Sequence, residues 1–216
     1  MSIKVLIVDD HKIVREGLSV LLGNRDGLKV IGEANNGRMA VQLAHEMSPD
    51  VILMDLTMPE MNGIDATRRI VDECPGVRIL ALSMHSDRRY IEAALAAGAS
   101  GFVLKDCAFD ELAGAIRDVA ADCFYLSPRI AGVVVRDYLG KRGRVETSPV
   151  GRLTPREREV LQLIAEGKNT KEVAFTLDVS AKTIETQRVN IMRKLGTSSI
   201  AELTKHAIRE GLTTLD

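Results

Sequence analysis

No stretch of this 216-residue chain approaches the ~20 consecutive apolar residues that a membrane-spanning helix requires, so no membrane partner is expected. The first residues, Met1-Ser2-Ile3-Lys4, run straight into an apolar segment without a secretory cleavage pattern. Cysteine is scarce. Cys74, Cys107 and Cys123 form an odd set with no Cys-x-x-Cys pair, which argues against a disulfide framework or a zinc site and for a reducing, cytoplasmic setting. The phosphate-cradling loop G-x-x-x-x-G-K-[ST] is also missing, so ATP is not expected as a direct ligand. Neither an internal repeat nor a low-complexity tract interrupts the chain.

What is present is the balance of a globular protein, 45% apolar and 27% charged. The net charge of -1 hides an asymmetry: residues 1–125 carry 13 basic against 19 acidic side chains. Residues 126–150 carry 5 against 2, and residues 151–216 carry 11 against 9. An acidic first half and a mildly basic second half imply different partners.

The first half alternates two periods. Ile3–Val8, Leu28–Ala34, Val51–Met54, Val77–Leu82 and Gly101–Leu104 are short apolar runs suited to strands buried on both faces. Amphipathic stretches separate them: Lys12–Leu22, Arg38–Met47, Ile64–Glu73, Arg89–Ala97 and Phe109–Ala121. This alternation predicts a five-stranded parallel α/β domain, doubly wound and flavodoxin-like, over residues 1–125. Residues 126–150 read as a linker with room for one short helix, Pro128–Tyr138, before the polar run Gly140-Lys141-Arg142-Gly143-Arg144. Residues 151–216 predict an all-α domain of four helices. Thr154-Pro155-Arg156-Glu157 and Ser199-Ile200-Ala201-Glu202 are expected capping boxes, Asn169 with Glu172 opens the second helix, and Ser180 caps the third.

In a doubly wound sheet, ligands bind beyond the carboxyl ends of the strands. Asp9 and Asp10 end the first strand, Asp55 the third, Ser83 the fourth and Lys105 the fifth. Three converging carboxylates repel one another unless a cation sits among them, and their hard oxygens suit Mg²⁺. One carboxylate then has the surroundings of a nucleophile toward a phosphoryl group. An ammonium (Lys105) and a hydroxyl (Ser83) stand ready for its oxygens. Singly, each residue has an ordinary structural use; all five at one sheet edge do not.

These residues lie in V-L-I-V-D-D-H, V-I-L-M-D-L-T-M-P-E-M-N-G, L-A-L-S-M and A-G-A-S-G-F-V-L-K-D. Residues 3 to 123 thereby resemble the receiver domain of two-component response regulators. The resemblance implies that Asp55 accepts phosphate from a sensor histidine kinase, and that Asp9, Asp10, Asp55 and the backbone carbonyl of Thr57 hold the metal. It further implies that Ser83 and Phe102 form the switch pair. Asp106 stands where the family often has proline, which puts the usual cis bond in question, and Phe102 replaces a common tyrosine.

In the last domain, Ile184, Ile191 and Leu195 make a buried stripe along one helix. The other face shows Lys182, Glu185, Thr186, Val189 and Arg193. Such a face suits the DNA major groove: Glu185 toward a cytosine amine, Val189 or Thr186 toward a thymine methyl. Lys182, Thr183, Arg188, Asn190, Arg193 and Lys194 suit phosphate or mixed contacts. The stretches L-T-P-R-E-R-E-V-L, G-K-N-T-K-E-V-A, L-D-V-S-A-K-T-I-E-T and N-I-M-R-K-L resemble the LuxR/FixJ (NarL-type) helix-turn-helix family. That resemblance implies a homodimer on double-stranded DNA, with Ile200, Leu203, Thr204, Ala207 and Ile208 on the dimerisation helix. Gln187 departs from a histidine frequent in the family.

Two other readings fit parts of the chain. A haloacid-dehalogenase-type phosphatase needs a second aspartate two positions after the first, where this chain has Thr57. A phosphorylation-dependent adaptor would use its last domain to bind protein. The expected function is transcription regulation without enzymatic turnover. Met84 after Ser83, together with Thr57, which cannot orient a water as a carboxylate would, is expected to slow loss of the phosphoryl group, with His85 partly offsetting this.

Overall fold

The computed structural model describes residues 2–84, 86–132, 134 and 153–213, which fall into two compact units. In the first, short runs of branched apolar residues form β1 (Ile3–Val8), β2 (Leu28–Ala34), β3 (Val51–Asp55), β4 (Arg78–Ser83) and β5 (Gly101–Leu104). Helices α1 (Lys12–Gly23), α2 (Gly37–Met47), α3 (Gly63–Glu73), α4 (Arg88–Ala96) and α5 (Phe109–Ala120) alternate with them. The strands are parallel, as the alternation predicts, and run in the order β2-β1-β3-β4-β5.

Side chains along a strand point alternately to the two faces, and the core splits accordingly. Val5, Ile7, Leu53, Leu80 and Val103 pack with Leu112, Ile116 and Val119 of α5. Leu6, Val8, Ile52, Met54 and Ile79 pack with Val41 of α2 and Ile70 of α3 on the other face. A third cluster joins Phe102, Leu104 and Ala81 to Tyr90, Ile91 and Ala94 of α4. Each fully buried large aliphatic side chain contributes roughly 1.5–3 kcal/mol. The sheet is therefore held rigid from both sides, which fixes where its carboxyl edge lies.

Two expectations need correction. A sixth strand, β6 (Tyr125–Leu126), pairs parallel with β5 and extends the sheet edge. At two residues it is too short to leave an alternating pattern. The expected linker from 126 also begins inside this unit. Ser127 N–H donates to Phe102 O at 3.1 Å, Ile130 is fully buried, and Leu126 and Val134 pack against the α4 cluster. Residues 128–132 and 134 are helical, so Ile130 and Val134 share one helix face, and Leu126 reaches the same cluster from β6. The Gly140–Arg144 run lies outside the described residues.

The second unit contains α6 (Pro155–Ala165), α7 (Thr170–Thr176), α8 (Ala181–Leu195) and α9 (Ile200–Arg209). Thr154 and Asn169 form complete capping boxes with Glu157 and Glu172, and Ser180 caps α8 through Thr183 N. The box expected at Ser199 does not form: its side chain makes no cap bond, and Glu202 accepts from Thr197 Oγ1 instead. Val160, Leu161, Leu163, Val173, Ile184, Ile191 and Leu203 build the core, with Leu195 only partly buried at its edge.

Candidate functional site

Asp55 is the last residue of β3 and Ser83 the last of β4, while Asp9 follows β1 and Lys105 follows β5. The loop bonds Asp9 N–H to Ala34 O (3.1 Å) and Lys105 N–H to Ser83 O (2.8 Å) carry the sheet register past the strand ends. Lys105 Nζ then lies 2.6 Å from Asp9 Oδ2 and 2.8 Å from Asp55 Oδ2. Asp9, Asp55 and Ser83 are buried, and Asp10 is half-buried. The backbone N–H of Thr57 donates to Asp55 Oδ1 at 3.3 Å. Lys105 thus ties Asp9 and Asp55 into one cluster, and Asp10 and Ser83 lie at the same sheet edge.

The turn after Asp55 depends on a glycine. A Cβ at Gly63 would stand 1.9 Å from the carbonyl oxygen of Asp55, because Gly63 N–H donates to Leu56 O and draws the start of α3 onto the strand end. Asn62 is fully buried and caps α3 by accepting from Asp65 N–H at 2.9 Å.

Electrostatically the pocket is overcrowded with negative charge. Burial is the main cause that pushes the Asp55 carboxyl up to about 6; the Asp9 charge adds to it and Lys105 opposes it. Lys105 is also shifted upward. Burial works against its charge, but the attraction of Asp55 and Asp9 together prevails. One ammonium keeps its proton because two carboxylates share it, and half-shared it cannot fully offset the desolvation of Asp55.

His11 is a member of the cluster that sequence reasoning did not single out. It sits at the N-cap of α1, its backbone N–H donates to Asp9 Oδ1 (2.9 Å), and its Nδ1 lies 2.8 Å from Asp10 Oδ1 without hydrogen-bond geometry. Its place directly after the Asp pair was the available signal. Asp9, Asp10, His11 and Asp55 offer ligand atoms within 4.8 Å of one another, and the buried Asp10 Oδ1 has no hydrogen-bond partner. An unsatisfied carboxylate oxygen facing further carboxylates is what a hard divalent cation fits.

Around the pocket, Phe102 is fully buried in the α4 cluster. The described residues contain no cis peptide bond, so the Lys105–Asp106 bond is trans, and Asp106 pairs with Arg129 at 2.6 Å. Met84 is 71% exposed, so little of its thioether is held over the site as the sequence reading expected. His85 lies outside the described residues.

On α8, Lys182, Thr183, Glu185, Thr186, Val189 and Arg193 are exposed, and Arg188 and Asn190 are half-exposed. The mixed polar face therefore exists as read. Thr183 is engaged at the cap by Ser180, and Arg193 donates to Asn190 Oδ1 at 3.0 Å. Gln187 buries its Oε1 without a partner. Lys194 departs from the expectation: its Nζ turns to Glu157 Oε2 at 2.6 Å, within the unit. On α9, Leu203 and Ala207 are fully buried in the core, which withdraws them from any dimer face. Ile200, Thr204 and Ile208 remain at four-residue spacing on the outer side, with Ile200 exposed.

Comparison with known proteins matches both units. Residues 5–117 fit the response regulator receiver domain, and residues 151–207 fit the bacterial regulatory proteins of the luxR family. The chain is 37% identical over 211 residues to the transcriptional regulatory protein MctR of Rhizobium johnstonii, covering 98% of this chain and 95% of MctR. It is 37% identical over 213 residues to the oxygen regulatory protein NreC of Staphylococcus carnosus, covering 97% and 98%. Among solved structures it resembles RcsB of Salmonella enterica serovar Typhimurium bound to promoter rprA in the presence of phosphomimetic BeF3- (TM-score 0.60, 28% identity, 95% and 98% covered). It also resembles a structure of two RcsB dimers bound to two parallel DNAs (TM-score 0.59, 27% identity, 97% and 99% covered). A receiver unit with its acidic pocket and a helix-turn-helix unit, matched along nearly the whole chain, place this protein in the luxR family of two-component response regulators.

Proposed function

We propose that Asp55 accepts a phosphoryl group from a sensor histidine kinase and that the phosphorylated chain, as a homodimer on double-stranded DNA, regulates transcription in the cytoplasm. The observation that carries this reading is Asp55 at a strand end, 2.8 Å from a lysine that also grips Asp9. A carboxylate oxygen of Asp55 attacks phosphorus in line, an O–P bond forms, and the P–N bond to the kinase histidine breaks. Lys105 holds positive charge where the transferring oxygens arrive, and the Ser83 hydroxyl donates to one of them. Mg²⁺, held by Asp9, Asp10, Asp55 and the carbonyl of Thr57, supplies counter-charge to those oxygens when bound. The chain stores one phosphoryl group and is not a turnover enzyme.

Ser83 and Phe102 then shift together and favour the dimer-competent state. A coupling of ~1–3 kcal/mol, or roughly 5–150-fold in DNA affinity, is the usual range for such linkage. On the DNA, Lys182, Arg188 and Arg193 contact phosphates while Glu185, Thr186 and Val189 face base edges. Ile200, Thr204 and Ile208 form the dimer contact.

The test is incorporation from acetyl phosphate with Mg²⁺, followed by mass mapping. Wild type should carry one phosphate on Asp55, and Asp55→Asn none. Stable phosphate on another residue of the wild type would refute the assignment. Equal DNA affinity of both forms across a concentration range would refute the coupling.

A further inference from the structure

The first turn of α6 holds both helices of the helix-turn-helix at once. Arg156 donates to Leu177 O at 2.6 Å, the carbonyl that closes α7. The next residue, Glu157, accepts from Lys194 Nζ at 2.6 Å near the end of α8. Both anchors are themselves fixed. Glu157 Oε2 also accepts from Thr154 N–H at 2.8 Å in the capping box, and Glu159 Oε2 accepts from Arg156 at 2.8 Å. Glu157 is only 7% exposed. A helix N-terminus tied to the far ends of two other helices sets the angle between them, and that angle decides which side chains of α8 reach base edges together.

We infer that Arg156 and Glu157 form a positioning clamp for the DNA-reading helix, and that Lys194 belongs to this clamp and is not a phosphate contact. The inference rests on the DNA-binding reading above and assigns one of its expected contacts a different task. A lysine whose ammonium is neutralised by a nearly buried carboxylate releases little counterion on binding DNA, so its removal leaves the salt dependence intact. Misalignment of α8 costs specific contacts and spares the nonspecific ones, which depend on charge alone.

The experiment uses the full-length chain and two probes: the duplex that wild type enriches from a random-sequence pool, and an unselected duplex of equal length. Glu157→Gln keeps the acceptor for Thr154 N–H and removes the charge; Lys194→Met keeps the aliphatic stem. Both are assayed below their melting temperatures, with helicity checked by circular dichroism. Each single variant should lose about tenfold in affinity for the enriched duplex, and the double variant no more than either single, as expected for two residues acting through one contact. The unselected duplex should be bound as before, with the salt slope unchanged. A slope reduced by about 1 in Lys194→Met, with both duplexes weakened alike and Glu157→Gln unaffected, would make Lys194 a phosphate contact and overturn the clamp. Wild-type affinity in both variants would overturn it as well. Failure of wild type to enrich any duplex overturns the DNA reading itself, and the clamp with it.

Discussion

Asp55 and Glu157 are two nearly buried carboxylates, 3% and 7% exposed, each within 2.8 Å of a lysine, and burial raises both, yet their net shifts are opposite. For Asp55 burial prevails and the carboxyl rises to about 6. For Glu157 burial is the largest single influence too, but Lys194 and the Thr154 amide together outweigh it and the carboxyl falls below its ordinary value. The difference lies in the heavier desolvation of Asp55, which sits deeper among its neighbours, and in who else needs the lysine. Lys105 is divided between two acids, whereas Lys194 serves one; a backbone amide supports each carboxylate, at 3.3 Å for Asp55 and 2.8 Å for Glu157. The receiver pocket is left electrostatically unfinished, which suits the cation and phosphoryl group proposed for it. The carboxylate of the DNA unit is finished, as a structural contact should be.

The largest expected break in this comparison is Lys105→Met. Without its shared ammonium the pocket loses the charge facing the transferring oxygens, and phosphoryl acceptance from acetyl phosphate should fall by about 100-fold or more. A loss under tenfold, read by phosphate incorporation against time, would place that charge elsewhere.

Next is the stability of the metal-free protein. The raised Asp55 value means that the folded state binds a proton more tightly than the unfolded chain. The resulting penalty is absent below pH ~4, grows as pH rises to about 6, and is complete above it. Asp55→Asn should therefore stabilise the receiver unit at pH 7 in chelator by about 2–3 kcal/mol, the equivalent of that shift. The gain should vanish near pH 4. Urea denaturation at the two pH values checks both signs.

The paired carboxylate should do the reverse. The lowered Glu157 value makes its contribution fully present above the ordinary glutamate value of 4.5, and lost as pH falls through the folded value below it. Glu157→Gln should cost about 1–2 kcal/mol at pH 7, with the gap closing in acid. A variant as stable as wild type at pH 7 would contradict the comparison at its second term.

The smallest effect is at Met84. With 71% of the residue in solvent, Met84→Ala should change decay of the phosphorylated state by less than about twofold, the span of ordinary surface substitutions. Decay several-fold faster, after removal of kinase and donor, would restore it as a barrier to water.

Legibility in the sequence followed the same division. Strand ends are discrete positions, so the alternating apolar runs of the sequence place Asp9, Asp55, Ser83 and Lys105 individually. A helix face is a continuum. The exposure of Lys182, Glu185 and Val189 could be read from period, but the inward turn of Lys194 depends on a partner 37 residues earlier. Leu203 and Ala207 share a stripe with Ile200 in sequence, and only packing decides which of them the core takes. The attachment of Ile130 and Val134 has a signal in their four-residue spacing, but composition made the segment look like a tether. β6 left no periodic trace at all.

Gly63 bears on how inactivating changes in this chain should be interpreted. It has no functional group, touches no phosphoryl oxygen and would be absent from any roster of chemical participants. Yet the smallest side chain there collides with the backbone of Asp55 itself. A survey of loss-of-signal alleles should therefore recover this position alongside the acids and the lysine. An allele of this kind is expected to resist suppression by a better phosphodonor, because what it damages is the ground on which the acceptor stands.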